Sequence, residues 1–446
     1  MRYHLDNLLE KGIISPVKEK DDLPITSPIV LVTKRTNSTD KNSPQNFRFC
    51  CDFRYLNSQT KDFKYNIPNL QELTESFPNM TPNYMSSIDL TSGFFQMALS
   101  KDSARYTAFN TCFGTYEFLR LPMGLKTSPN TFQLMMDRVL HGLQFKTCLC
   151  YLDDVLICTE TFEQHLEALN DVFRRFRNAG LKLGPRKCVF AAQSCIFLGH
   201  QISKDGIHPP PNRVDALLKI PPPKNQKELR QIIGMFNWFR KFIPNFSAII
   251  SPLTRLLKKN QQFKWTLEQQ NAFDDIKHRL TSAPFLSFPD YNIQFRLSVD
   301  TSSRGIGFML YQINPDDPEQ KPHIIRYGSK ALNTWQTSYG PTKLELLGMV
   351  VSVLECSDYL RGVKFVVECD HAALQPLFQK QFKGAIYERW LSLLQQFNFE
   401  MQYKPADQMQ LPDAYLEMPR SRTSVIGKSC RGGSILPVYT GKCRTN

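Results

Sequence analysis

The sequence predicts a mixed α+β protein of several domains, the last of which is a separate α/β domain. Its 446 residues are enough for two to four domains, each with its own core. Proline clusters at 209–211 and 221–223 break regular structure, as domain boundaries often do. Beyond residue 290 the pattern changes to short strands and one apolar helix. The expected division is 1–204, 205–289 and 290–418, followed by a disordered tail at 419–446.

The composition is that of a folded, basic protein. A hydrophobic content of 41% and a charged content of 22% argue against disorder over most of the chain. The net charge of +14 favours a polyanionic partner such as nucleic acid, although a basic surface that serves solubility alone would give the same value. The charged start of the chain and the lack of a long apolar run predict an intracellular protein that does not enter a membrane. Cysteines within apolar runs predict neither disulfides nor a zinc site.

The segment 226–259 has the spacing of an amphipathic helix. Its apolar residues recur every three or four positions, and Pro244 and Pro252 end its turns. A short helix over Asn212–Leu218 is expected between the two proline clusters. The apolar positions are Leu229, Ile232, Ile233, Phe236, Phe239 and Phe242.

Two adjacent carboxylates, Asp153 and Asp154, interrupt the apolar run 148–158. A continuous buried strand would have to bury their charge, which is costly without a compensating cation. A hairpin avoids this cost if Tyr151-Leu152 ends one strand, Val155 begins the next, and both aspartates lie at an exposed turn. An ordinary Asp-rich turn would give the same pattern.

A third carboxylate, Asp89, ends another predicted strand and precedes a turn that contains Gly93. If the two strand ends are neighbours, the three aspartates form a site for hard cations, and Mg²⁺ prefers such oxygen ligands. Two such ions suit phosphoryl transfer to a 3′-hydroxyl. The residues alone do not show that the strands are adjacent.

A second group of acids lies in the region 290–418. Asp300 is predicted to end the strand 295–299, and Asp370 to end the strand 365–367. Glu345 lies on a helix that starts near Thr342, and Asp413 follows Pro412. Acids at strand ends and helix starts are common on surfaces, so the pattern alone leaves open whether these four share a site.

The first region resembles the reverse transcriptase domain of gypsy-type LTR retrotransposon Pol proteins. The resemblance rests on ordered motifs that cover the chain from residue 5 to about 205. It extends through the middle segment, which contains Pro221-Pro222-Pro223-Lys224 and Phe239-Arg240-Lys241-Phe242-Ile243-Pro244-Asn245-Phe246-Ser247. The motifs of the first region are 12–16, 27–32, 47–50, 52–57, 88–90, 92–96, 116–119, 121–126, 128–129, 151–154 and 198–200.

The resemblance implies a right-hand polymerase with fingers, palm and thumb, in which Asp89, Asp153 and Asp154 are catalytic metal ligands. Arg48 would contact the incoming dNTP, and an arginine fork suits that task. Phe94 would be the steric gate against a ribose 2′-hydroxyl. Met123 would line the dNTP pocket, where retroviral enzymes have Gln. Leu198-Gly199-His200 would form the primer-grip hairpin, and Lys34 or Arg35 would add a positive contact.

The region 290–418 resembles the RNase H-like domain that follows reverse transcriptase in these elements. The motifs are Ser298-Val299-Asp300-Thr301-Ser302, Gly305-Ile306-Gly307, Lys343-Leu344-Glu345-Leu346-Leu347 and Cys369-Asp370-His371. The resemblance implies a quartet of Asp300, Glu345, Asp370 and Asp413 that is catalytic and binds two Mg²⁺ ions. The sequence around Asp413 departs from the family pattern, and Glu368 lies on the same strand face as Asp370, where it is expected to perturb the site.

The resemblance implies an RNA-directed DNA polymerase that also hydrolyses the RNA strand of hybrids. Its partners would be an RNA template, a DNA primer, the RNA–DNA hybrid and dNTPs, with Mg²⁺ or Mn²⁺ at each site. Its location would be a cytoplasmic particle or the nucleus. No protease or integrase motif flanks the match, so a segment of a longer polyprotein is expected. The alternative is a decayed remnant that only binds nucleic acid; the oligomeric state is left open.

Overall fold

The computed structural model describes residues 1–18, 23–34, 43–68, 73, 77, 82–302, 305–370 and 385–405. Asp413, Arg35 and the tail predicted at 419–446 lie outside this set. No helix among the described residues is long and apolar enough to cross a membrane.

The first region contains twelve described strands, which form four small sheets. The strand orders are β1-β6-β5, β2-β3, β7-β8-β4-β9 and β10-β11-β12. The strands are β1 Ile14–Pro16, β2 Ile29–Thr33, β3 Phe47–Cys51, β4 Tyr84–Asp89, β5 Phe109–Thr111, β6 Gly114–Phe118, β7 Cys148–Tyr151, β8 Asp154–Thr159, β9 Val189–Ala192, β10 Ser194–Phe197, β11 His200–Ser203 and β12 Gly206–His208.

Short and long helices connect these strands and pack against them. The described α-helices of this region are α1 Arg2–Glu10, α2 Arg54–Gln59, α3 Lys101–Ala104, α4 Ser128–Val139 and α5 Phe162–Asn178. Described 3₁₀ turns span Pro44–Asn46, Gly93–Gln96, Arg105–Thr107 and Pro185–Lys187. Helix α5 begins with a capping box between Thr161 and Gln164, which fixes where the helix starts.

Strand β8 of the β7-β8-β4-β9 sheet is buried on both faces, which explains its almost continuous apolar sequence. Val155 and Ile157 of β8 pack in one core together with α4 and α5. Leu156 and Cys158 alternate with them and pack in a second core on the other face, together with Phe197. The sheet is therefore a rigid layer, and only its strand ends are left to carry charge.

The middle segment is helical, as its spacing predicts, but it is divided into shorter helices: one break contains Pro244, whereas Pro252 lies in the first turn of the helix Ser251–Arg255. The Asn225 side chain accepts a hydrogen bond from the Glu228 backbone N–H and so caps the N-terminus of the helix Gln226–Trp238. The helices are α6 Pro211–Leu218, α7 Gln226–Trp238, α8 Phe246–Ile249, α9 Ser251–Arg255 and α10 Leu267–Thr281, with a 3₁₀ turn at Arg240–Phe242.

The last region is a five-stranded mixed sheet in the order β15-β14-β13-β16-β17. Strands β13 and β16, and β16 and β17, pair in parallel, whereas β13, β14 and β15 form an antiparallel meander. Its elements are β13 Phe295–Ser302, β14 Gly305–Ile313, β15 Pro322–Ala331, the 3₁₀ turn Gln336–Ser338, α11 Pro341–Glu355, α12 Ser357–Leu360, β16 Lys364–Cys369, α13 Ala385–Leu394 and β17 Asn398–Tyr403.

This sheet also has two buried faces, and each faces a different region of the chain. Phe308 and Leu310 of β14 pack with helix α11. Met309 and Tyr311, which alternate with them, belong to the core of the middle helices. A single core therefore joins residues on either side of position 289. The structure also extends β13 to Ser302, so Asp300 lies within the strand and does not end it.

Glu368 is fully buried and has partners of its own. Its carboxylate binds Arg296 at 3.0 Å and Lys404 at 2.7 Å, and it accepts a hydrogen bond from the Tyr311 hydroxyl at 2.7 Å. The charge of Glu368 is thus balanced by cations from β13 and from the residue after β17.

We expect Glu368→Ala to lower the free energy of unfolding by about 3–5 kcal/mol, because it leaves two cations partly buried without their partner. Urea unfolding measures this loss. Glu400→Ala is the matched control: it removes an acid from the neighbouring strand, but the Lys364–Glu400 pair is exposed and should contribute only about 0–1 kcal/mol. Equal losses in the two variants would contradict the assignment.

Candidate active sites

The two predicted strand ends are neighbours. Strands β7 and β8 form the predicted hairpin, and β4 pairs antiparallel with β8 so that Asp89 lies directly opposite Asp154. The turn itself consists of Leu152 and Asp153, whereas Asp154 is already the first residue of β8 and pairs with Tyr151. The prediction of an exposed turn is corrected: both Asp153 and Asp154 are half-buried.

A buried glutamine holds the hairpin turn. Leu152 has φ +53°, a conformation that side chains rarely adopt, and its backbone N–H donates to the Gln133 side-chain oxygen at 2.7 Å. The Gln133 amide nitrogen donates to the Cys150 carbonyl at 3.3 Å and to Asp137 at 2.8 Å. Gln133 is 0% exposed, so helix α4 fixes the strained backbone immediately before Asp153.

Lys187 supplies positive charge to this site. Its ammonium group lies 3.0 Å and 3.2 Å from the two carboxylate oxygens of Asp89. Burial, followed by the carboxylates of Asp153 and Asp89, raises the pKa of Asp154, and Lys187 partly offsets this. The three acids thus lie together at one edge of the sheet, where they are partly desolvated and where binding of a cation is favourable.

Phe94 lies beside the aspartates. It is half-buried on the turn Gly93–Gln96, and its ring packs 4.9 Å from that of Phe132. A Cβ at Gly93 would lie 3.0 Å from the Phe132 ring and 3.2 Å from the Asp153 Cβ, so a larger residue would push this turn away from the hairpin by a few tenths of an ångström. Phe94 is therefore held next to Asp153 by close packing.

The other predicted dNTP contacts are on exposed surfaces. Arg48 is an exposed residue of β3, opposite Val32 of β2. Met123 is 54% exposed and precedes Gly124, whose φ of +100° requires glycine. Lys34 donates to the Gln45 carbonyl at 2.8 Å, which makes it part of the same hairpin as Arg48.

The second group of acids is brought together at the end of the five-stranded sheet. Burial and the carboxylate of Asp370 raise the pKa of Asp300 to about 6. Burial, and then Asp370 and Asp300, raise the pKa of Glu345 to about 8. The three side chains therefore feel one another's charge. Asp413, the fourth predicted member, lies outside the described residues.

Close helix–sheet packing brings Glu345 to this site. A methyl group built at Gly348 would overlap the Thr301 side chain, so the absence of a side chain there lets α11 approach β13. Glu345 is 8% exposed, and its Oε2 atom has no hydrogen-bond partner among the described residues. An unpaired buried carboxylate oxygen is costly, which fits a cation ligand.

The described residues contain no preformed group of three or more His, Cys, Asp or Glu side chains arranged to hold a metal ion. The donor chemistry fits one at both places, because all the converging ligands are carboxylates. Sequence reasoning missed Gln133 and Lys187. Neither has a distinctive local pattern: Gln133 lies in an ordinary helix, and Lys187 follows Asp89 by 98 residues.

Two family models match the chain. "Reverse transcriptase (RNA-dependent DNA polymerase)" matches residues 38–202, which include Asp89, Asp153 and Asp154. "RNase H-like domain found in reverse transcriptase" matches residues 265–367, which include Asp300 and Glu345 but end before Asp370. The class defined by fold and site is thus a polymerase palm joined to an RNase H-like domain.

Relatives of the whole chain are transposon proteins. The chain is 34% identical over 411 residues to the retrovirus-related Pol polyprotein from transposon 297 of Drosophila melanogaster, covering 92% of this chain and 37% of the relative. It is 30% identical over 439 residues to the Tf2-3 transposon polyprotein of Schizosaccharomyces pombe, covering 98% of this chain and 32% of the relative. It therefore spans only about a third of each polyprotein's length.

Solved structures agree. The foamy viral protease-reverse transcriptase dRH in complex with double-stranded DNA has a TM-score of 0.77 at 25% identity, over 90% of this chain and 69% of that one. The same viral protein with an RNA/DNA hybrid has a TM-score of 0.74 at 25% identity, over 96% and 55%. The chain belongs to the reverse transcriptase and RNase H-like portion of gypsy-type retrotransposon Pol polyproteins.

We expect Glu345→Gln to stabilise the protein at pH 7 when a chelator removes divalent cations. The pKa of Glu345 is about 8 in the folded state against an ordinary 4.5, so between these values the unfolded chain binds fewer protons and wild-type stability falls as pH rises. Glutamine abolishes this contribution, and the gain should grow from pH 5 to 8 to a few kcal/mol.

Urea unfolding across this pH range measures the gain. Glu355→Gln, on the same helix but outside the site, is the control and should show no such trend. A Glu345→Gln difference that does not change with pH would contradict the charge cluster.

Proposed function

We propose that this chain is an RNA-directed DNA polymerase with a second, RNase H active site that hydrolyses the RNA strand of RNA–DNA hybrids. The observation that carries the proposal is the direct pairing of Asp89 with Asp154 beside the hairpin turn at Asp153. Three carboxylates at one strand end, within a matched reverse transcriptase domain, suit two-metal phosphoryl transfer.

The proposed metal ligands of the polymerase site are Asp89, Asp153 and Asp154. Mg²⁺, or Mn²⁺ in its place, would supply charge stabilisation for the nucleophilic 3′-oxygen and the departing pyrophosphate. The chain's own residues set the geometry: Gln133 fixes the turn before Asp153, and Lys187 holds Asp89. Phe94 would lie under the sugar of the incoming dNTP, with Arg48 toward its triphosphate and Met123 lining the pocket.

Asp300, Glu345 and Asp370 are the proposed metal ligands of the RNase H site, with Asp413 as the predicted fourth. Glu345 fits this role because its Oε2 is buried and unpaired within the described structure, and because neighbouring acids raise its pKa. A divalent cation there would favour the ionised carboxylates and provide an activated water for hydrolysis.

The proposed partners are an RNA template, a DNA primer, their hybrid and dNTPs. The net charge of +14 supports sequence-independent, salt-sensitive binding to phosphates, which copying any template requires. Related foamy viral proteins were solved with double-stranded DNA and with an RNA/DNA hybrid. By the same reasoning we propose an intracellular location, where template RNA is available.

We expect Asp153→Asn to abolish primer extension on an RNA template and to leave RNase H cleavage intact, because the two sites use different acids. Asp300→Asn should do the reverse. Both reactions are measured with labelled strands and Mg²⁺. Extension by Asp153→Asn would refute the site, and a wild-type chain that binds hybrid tightly yet neither extends nor cleaves would support the inactive remnant.

We expect Gln133→Leu to slow extension by on the order of 10- to 100-fold at saturating dNTP, because it frees the strained turn that places Asp153. The KM for dNTP should change little. Gln144→Leu is the control, since Gln144 binds the same Asp137 at 2.5 Å without touching the turn. If both variants slow extension equally, Gln133 acts through Asp137 rather than through the turn.

A further inference from the structure

Asn245 is an unusual residue of the middle segment. It is 3% exposed, adopts φ +54°, and precedes helix α8. Neither the oxygen nor the nitrogen of its amide has a hydrogen-bond partner among the described residues. A buried amide without partners costs free energy, so the position needs an explanation other than stability.

The Asn245 side chain fills a cleft on the five-stranded sheet. A methyl group built at Gly307 of β14 would overlap the Asn245 amide oxygen. Gly307 has an ordinary strand conformation, so the glycine is needed for the room it leaves and not for its backbone freedom. The middle segment thus inserts one side chain between the residues of the last region.

Hydrogen bonds on either side of Asn245 complete the contact. Arg240 donates to the Ser329 carbonyl at 2.8 Å, and the Ser247 backbone N–H donates to the Ser329 hydroxyl at 2.9 Å. The Ser329 hydroxyl in turn donates to that of Ser247 at 3.0 Å. We call this set the Asn245 lock: Arg240, Asn245 and Ser247 against Gly307 and Ser329.

The lock lies on the strand that pairs with the one carrying Asp300. Gly307 lies directly opposite Ser329 on one side and Asp300 on the other. Residues directly opposite on paired strands point to the same face, so the Asn245 side chain and the Asp300 side chain lie on one face of the sheet. A shift of the lock therefore shifts the backbone that positions this acid.

The other end of the same short segment contacts the polymerase region. Trp238, two residues before Arg240, stacks on His200 at 4.4 Å, and Arg213 lies 4.8 Å from the Trp238 ring. His200 begins strand β11 directly after the turn Leu198-Gly199. Residues 238–247 therefore connect the predicted primer-grip hairpin to strand β14, the neighbour of the Asp300 strand, through packed contacts at both ends.

We propose that the Asn245 lock sets the spacing between the two active sites, so that Asn245 is a positioning residue for where the RNA is cut relative to the primer 3′ end. The inference rests on the proposed function, since it needs both sites. The inferred mechanism is side-chain packing. Closely packed contacts do not deform continuously, so a displacement at one end of residues 238–247 is passed to the other end.

The test maps cleavage of a labelled RNA annealed to a DNA primer with a recessed 3′ end, with Mg²⁺ and without dNTPs. The wild type should cut at one main distance from the 3′ end. Gly307→Ala should transfer part of the cleavage to the adjacent phosphodiester, because the added Cβ would lie 1.7 Å from the Asn245 amide oxygen and needs about 3.5 Å, a displacement of roughly half the ~3.4 Å between successive base pairs. Cleavage of a hybrid without a recessed end should keep its rate.

A second-site variant separates the lock from local strain. Asn245→Gly suits the positive φ and vacates the space above residue 307, so Gly307→Ala combined with Asn245→Gly should cut closer to the wild-type position than Gly307→Ala alone. Ser329→Ala, which adds no volume, should spread the cut and serves if Gly307→Ala does not fold.

Gly328→Ala is the matched control. The added methyl group would overlap Phe308 inside the same sheet, so it should lower thermal stability without moving the cut. An unmoved cut in Gly307→Ala, an equal shift in Gly328→Ala, or no rescue by Asn245→Gly would each overturn the lock.

The wild type separates this inference from the proposed function. Extension and cleavage with no preferred cut would overturn the lock and leave the proposed function standing. A wild type that neither extends nor cleaves would overturn both.

Discussion

The repulsion between carboxylates that are held together by apolar sheets is the constraint on which both sites depend. Each described aspartate of the two sites lies at or near the end of a mostly buried strand, and Glu345 lies on the helix packed against the second sheet, so the fold cannot move these acids into water without unfolding. The first site relieves the repulsion with Lys187, which binds Asp89. The second has Glu345, whose pKa of about 8 favours protonation at neutral pH. Both arrangements are poised to accept a cation.

Neighbouring residues hold the acids of both sites close together. Leu152, the left-handed residue before Asp153, donates its backbone N–H to a glutamine buried in the adjacent helix. Gly93 lets its turn approach Asp153, and Gly348 lets the helix that carries Glu345 approach Val299 and Thr301 of β13. Glycines thus allow the close approach at both sites, and one hydrogen bond, from the Leu152 N–H to Gln133, stabilises the strained turn.

The sequence predicted the features that depend on local residue patterns. The hairpin around Asp153 followed from the cost of burying adjacent charges, and α6 and α7 followed from proline positions and apolar spacing. The pairing of Asp89 with Asp154 joins residues 65 positions apart in the chain, and only tertiary packing decides it. Asp300 was placed at a strand end because apolar alternation stops at Val299; the strand continues since its next residues pair with Gly305–Gly307.

Glu368 and Asp370 show that the partners of a carboxylate, more than its burial, determine whether it stabilises the fold or stays available for catalysis. Glu368 and Asp370 are two residues apart, and the sequence alone suggested that Glu368 perturbs the site of Asp370. Arg296, Lys404 and Tyr311 converge on Glu368 and neutralise it within the sheet. Asp370 instead raises the pKa values of its neighbouring acids. Because the cations come from the far end of β13 and from beyond β17, only the folded sheet assigns one acid to stability and leaves the other for chemistry.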